Sequence, residues 1–144
     1  MEPMHAVHLF LVLALAGVAG TMAFIERGKL SGKAEDLRRV AEANGRLAKA
    51  AMAPLVLLIF LTGIALTVQV VKAGGMVGMH HAKLTLGLLT VGGLGHINAM
   101  LILRGVRAGD PEQLKKYNGK LRLGWGLFGL AVATFLLGIM YFHR

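Results

Sequence analysis

Four separate runs of roughly 20 predominantly apolar residues dominate the chain, at about residues 5–25, 50–71, 80–103 and 123–142. Each is long enough to cross the hydrocarbon core of a bilayer. In that setting every backbone N–H and C=O must be satisfied within the chain, so helix is the only economical answer for runs of this kind. With 56% hydrophobic residues in 144 positions, the composition lies outside the range of ordinary soluble domains. The expected fold is therefore all-α: an integral membrane four-helix bundle forming a single domain over residues 1–144. Pro54 falls in the first turns of the second run, where proline is tolerated.

Charge orients the helices. The formal net charge is +9, and its distribution matters more than its size. Seven basic residues lie between Glu26 and Lys49, six between Arg104 and Arg122, and three elsewhere. By the positive-inside rule both basic segments face the cytoplasm, which places both termini and the Lys72–Met79 turn outside. The reading is a multi-pass membrane protein, N-out and C-out, with the lipid bilayer as its first partner. Nucleic acid is not an expected partner, because topology already accounts for the basic residues. The first run is not expected to be a cleaved signal peptide, since Met1-Glu2-Pro3-Met4 carries no positive charge.

The connections are too short for a second core. From Arg27 to Lys49, the spacing of Leu30, Ala34, Leu37, Ala41 and Ala48 predicts an amphipathic helix running into the second span. Asp110-Pro111-Glu112-Gln113 reads as a helix start, with Asp as N-cap, Pro at the first helical position and Gln closing a capping box.

No cysteine is present, which excludes disulfides, thiolate iron–sulfur sites and c-type haem attachment. Six histidines remain, all in or beside spans. Ionisable residues inside spans are costly and usually functional. His5, His80 and His143 sit near span ends, where headgroups can solvate them. His8 and His81 lie about one turn inside, on different helices. At about 100° per residue, Thr85, Leu88, Gly92 and Gly95 share a face with His81, whereas His80 stands over Leu84, Gly87, Val91 and Leu94. The stripe of His, Thr and Gly is taken as the inward one, and His81 as its imidazole. Two inward imidazoles near glycines are what b-type haem requires, with His8 and His81 as the axial iron ligands. His96 lies about 22 Å along the helix from His81, so the two cannot share a metal. It is expected either to serve a second haem or to hydrogen-bond across the bundle, for instance to Thr62 or near Asn98.

His81-Ala82-Lys83-Leu84 leading to Gly95-His96 resembles the third-span pattern of the J-type protoporphyrinogen oxidase family of bacteria. Arg46-Leu47, Met52-Ala53-Pro54 and Thr62-Gly63 resemble the same family's second span, and His8 matches its first-span histidine. Leu121-Arg122-Leu123 resembles its last-span entry, and the copper-resistance protein D family shares the skeleton. The resemblance implies a helical membrane protein binding b-type haem, with His8 and His81 as ligands and Lys83 and Arg46 as functional charges. The aromatic residues of the family's first span are missing, Leu13-Ala14-Leu15-Ala16-Gly17 standing in their place. Met79 and Leu94 stand where the family carries tryptophan and tyrosine.

The expected function is a membrane cytochrome b, an electron carrier or a subunit of a larger redox complex. Quinone or a redox protein is the expected partner, and a homo-oligomer is an open alternative. The expected cofactor-binding set is His8, His81, Lys83, Thr85, Gly92, His96 and Arg46. One alternative is an oxidoreductase acting on protoporphyrinogen. Another is copper handling by Met4, His5, Met76, Met79, His80, His81, Met140 and His143, since thioether and imidazole favour copper(I).

Overall fold

The computed structural model describes residues 3–75 and 78–142, without the side chains of residues 79, 80, 131 and 134–142. Among the described residues there is no strand. Helix α1 spans Pro3–Glu26 and passes through a 3-10 turn, Arg27–Ser31. Helix α2 spans Ala34–Leu47, and a π-helical turn over Ala48–Met52 carries it without a break into α3, Ala53–Lys72. Helix α4 spans Gly78–Val106 and α5 spans Pro111–Phe142. Among the described residues three stretches are long and apolar enough to cross a membrane: Pro3–Ser31, Ala34–Lys72 and His81–Val106. The fourth expected span falls within α5, most of its later side chains lying outside the description.

Local chemistry explains the ends. Asp110 Oδ1 accepts the backbone N–H groups of Glu112 and Gln113 at 3.0 and 3.3 Å, the expected N-cap of α5. The expected single helix from Arg27 to Lys49 is interrupted. Gly32 adopts φ 69°, a left-handed conformation that glycine takes without penalty, and its N–H bonds the Lys29 carbonyl. Leu30, outside α2, is exposed; the buried face of α2 is Val40, Ala41, Asn44 and Gly45. The expected continuity from α2 into α3 is present. Pro54 has no N–H to give the preceding turn, and the wider π turn lies just before it.

Helix α1 packs on α3, α3 on α4, and α4 on α5, while α2 crosses α4. Among the described residues the backbone of α1 nowhere approaches those of α4 and α5 closely, and α1 meets α4 through side chains near its end, Met22 in the core and Glu26 on Arg104. The apolar core gathers instead around the π turn, from Met22, Ala48, Met52, Val56, Leu94, Ile97, Leu101 and Leu121. Close backbone contact fixes the α2–α4 crossing. A Cβ on Gly45 would meet Gly105 Cα at 2.9 Å, and one on Gly105 would meet the Ala41 carbonyl oxygen at 3.0 Å.

Beside that crossing lies a polar network. Arg104, 1% exposed, is ion-paired to Glu26 and gives Nη1 to Asn118 Oδ1 at 3.0 Å. Lys29 is ion-paired to Glu26 and gives Nζ to Asn118 Oδ1 at 3.2 Å. Asn44 gives Nδ2 to Glu26 Oε1 at 2.7 Å and to the Met22 carbonyl at 3.2 Å. One carboxylate thus links α1, the 3-10 turn, α2, α4 and, through Asn118, α5.

Removing one partner of a buried pair leaves the other charge uncompensated, at a cost of about 3–5 kcal/mol. Glu26→Ala should therefore lower the unfolding midpoint in a detergent titration far more than Glu42→Ala, whose carboxylate pairs with Arg38 on the surface. Gly105→Val should cost about 1–3 kcal/mol by overpacking the crossing. Wild-type unfolding of Glu26→Ala would show that the network does not hold the helices together.

Candidate functional site

Where α1 and α4 fail to meet, a cavity of about 490 Å³ opens between α1, α3, α4 and α5. Its walls are almost wholly aliphatic and aromatic, including Val12, Ile59, Phe60, Leu84, Val91 and Val132. The polar side chains on it are His8, Thr67, Lys83 and Thr90. That volume and polarity lie within the range of cofactor and ligand sites, which are mostly apolar with a few placed polar groups.

Both threonines turn their hydroxyls back to the helix. Thr67 donates to the Gly63 carbonyl at 2.9 Å, and Thr90 to the Leu86 carbonyl at 2.8 Å. His8 and Lys83 remain to address an occupant. His8 is half-buried, and its Nδ1 lies 2.7 Å from Thr62 Oγ1. The Thr62 hydroxyl has one proton, directed at the Leu58 and Ile59 carbonyls at 2.9 and 3.1 Å. Its oxygen therefore accepts from His8 Nδ1–H. This bond sets the imidazole tautomer and leaves Nε2 with its lone pair, unpartnered among the described residues. The ring is seated over Gly63, where an added Cβ would come 3.7 Å from His8 Cε1. A Cβ on Gly87, across the cavity, would meet nothing within 4 Å.

Of the residues expected at the site, the structure brings together His8 and Lys83. His81, Thr85 and Gly92 fall on the exposed face of α4, turned from the cavity. The reason is rotational. The buried positions of α4 are Leu94, Ile97, Asn98, Leu101 and Arg104, and the cavity-lining positions include Leu84, Gly87 and Val91. That is the stripe on which the 3.6-residue repeat places position 80, not 81. His96 is exposed as well, and among the described residues it makes no hydrogen bond across the bundle. Thr62 is engaged by His8, and Asn98 Oδ1 is buried without a partner. Arg46 is exposed near the end of α2, away from the cavity walls.

Among the described residues no group of three or more His, Cys, Asp or Glu gathers as a metal cluster would. Of the positions considered for copper, Met76 and His143 lie outside the described residues, as do the side chains of Met79, His80 and Met140. The sequence reading had placed Thr62 and Gly63 in a motif without assigning them to His8. Their signal was the Thr-Gly pair at mid-span, since a hydroxyl beside a glycine makes a berth for a ring. No family model, curated protein or solved structure matches the chain.

A bulky side chain at Gly87 enters the cavity without striking backbone. Gly87→Phe should abolish binding of an apolar fluorescent probe to the purified protein while leaving its helicity and unfolding midpoint unchanged. Full probe binding by this variant would show that the cavity is not the binding site.

Proposed function

We propose that the protein is a membrane-embedded b-type haem protein of the cytochrome b class, with His8 as an axial ligand in this cavity. The observation that carries the reading is the Thr62 bond to His8 Nδ1, which leaves Nε2 as a lone pair on the wall of an apolar cavity. Metal-ligating histidines characteristically give their other ring N–H to such an oxygen acceptor, which sets both tautomer and ring orientation.

The residues present fit the group. Gly63 seats the His8 ring, Gly87 leaves room on the α4 wall, and the aliphatic lining suits a porphyrin face. Lys83 is the one cation on the cavity wall among the described residues, placed to meet a propionate carboxylate. Bound haem supplies reversible one-electron exchange, tuned by its axial ligands and burial. The chain's own residues orient the ligand, exclude water and compensate carboxylate charge.

The second imidazole of this reading would come from the start of α4, where the sequence offers His81 just before the cavity-lining Lys83 and Leu84. Position 80 shares the helical stripe of Leu84, Gly87 and Val91, whereas the side chain of His81 is on the exposed face. The four-helix bundle, the N-out and C-out orientation and the bacterial cytoplasmic membrane belong to the same proposal. The bundle and its orientation rest on the apolar runs and the two basic segments, and the bacterial inner membrane on the family resemblance of the sequence. Exchange with a quinone or a redox protein follows from the class.

The purified protein, loaded with haem and reduced with dithionite, should show a Soret band and a sharp α band of a low-spin bis-imidazole centre. His8→Ala should lose that spectrum, and so should the double variant His80→Ala/His81→Ala. Thr62→Val should weaken haem affinity by about 10- to 100-fold, the usual effect of removing a ligand's supporting hydrogen bond. A protein that takes up no haem, or a His8→Ala variant with the low-spin spectrum intact, would overturn the reading.

A further inference from the structure

One exposed face of α4 carries an ionisable residue well inside an apolar span. The exposed side chains of α1 include Phe10, Leu13 and Phe24, those of α3 include Leu57, Leu61 and Val68, and those of α5 include Leu123, Leu127 and Leu130. These surfaces suit lipid. On α4, one exposed stripe carries His81, Thr85, Gly92, His96 and Ala99, and Leu88 at its edge already lines the cavity. His96 stands well inside the candidate span His81–Val106, exposed, with no hydrogen-bond partner among the described residues. A polar group without a partner is costly in hydrocarbon, and ionisable residues at such depth face protein or a water-filled cavity. Within the chain, α1 packs on α3, α4 on α3 and α5, and α2 on α4, so none of these contacts covers His96.

We infer that this stripe is the interface between two copies of the chain, related by a two-fold axis along the membrane normal and crossing near His96. The occupant follows from the chemistry of imidazole. A neutral histidine carries one N–H donor and one lone-pair acceptor, so it is self-complementary: the His96 of one copy donates to its counterpart. Two-fold pairing of like surfaces is the commonest oligomeric arrangement. Both copies enter the membrane in the same sense, so their α4 helices run parallel and equivalent residues meet. The close approach is available, because an added Cβ at Gly92 or Gly95 meets nothing within the chain and Ala99 is one turn further on. Small residues beside a polar pair are how helices associate in lipid, where hydrophobic burial gives no driving force. His81 and Thr85 extend the same stripe toward the start of the helix, which gives the polar face a length of several turns.

The chain has no cysteine, so an introduced one reports contact without background. Ala99→Cys in native membranes, treated with a mild oxidant, should give a disulfide-linked species of twice the chain's mass. Leu13→Cys on α1 and Leu127→Cys on α5 should not. In the Ala99→Cys background, His96→Leu should reduce the cross-link roughly three- to tenfold, the worth of one interhelical hydrogen bond, and His96→Gln should restore it. An Ala99→Cys chain that stays single, or that links no better than the two controls, overturns the inference. So does a link to a different protein, or one that forms only when haem is supplied, since the contact would then be with another partner or bridged by cofactor. His8→Ala should leave the cross-link unchanged, which separates this interface from the haem reading.

Discussion

The Glu26 carboxylate is the point from which the rest of the molecule is held. In a bilayer, apolar packing between helices gains little over packing against lipid. A charge left buried without a partner is penalised heavily. Arg104, almost wholly sequestered, therefore requires Glu26, and Glu26 in turn collects Lys29 and Asn44. Asn118 takes hydrogen bonds from both cations and so ties α5 to the same point. The Gly45–Gly105 crossing is the steric counterpart, since the network closes only if α2 and α4 approach backbone to backbone.

Tight closure at one end explains openness at the other. The core around Met22, Met52 and Leu101 and the Arg104 network all lie toward the end of α1 and α4. Along the earlier turns, α1 leans on α3 and α4 on α5, with no contact between α1 and α4. The cavity is that missing contact. His8 and Lys83, both near the starts of their helices, mark its open end. A ligand there would complete the packing that the polar network performs at the opposite end.

The apolar runs, their helical state and the start of α5 at Asp110 were legible in the sequence, because length, hydropathy and capping chemistry are local properties. So was His8 as a group that the fold uses. The rotation of α4 was not legible. Its residues are apolar or glycine nearly all round, so the helical repeat defines two stripes without saying which faces inward. Packing against α3 and α5 decides it, and it selects Leu84, Gly87, Val91 and Leu94 over His81, Thr85 and Gly92. The network was hidden for a different reason. Glu26 and Arg104 are 78 residues apart, and at the ends of apolar runs such residues read as topological markers. Asn44 and Asn118 sat in segments read as surface helices, with nothing in their neighbours to single them out.

The same rotation that takes His81 and Thr85 from the cavity gives them and His96 a common direction. A helix with one apolar side could hide its polar residues by turning. Helix α4 has polar residues on both sides: Lys83, Thr90 and Asn98 inward, and His81, Thr85 and His96 outward. The inward set lines the cavity or enters the core, and Thr85 bonds the His81 carbonyl within its own helix; for His96 the interface inferred above would supply the polar surface. A second copy presents one with the same depth, spacing and donor–acceptor chemistry, which a lipid tail cannot do.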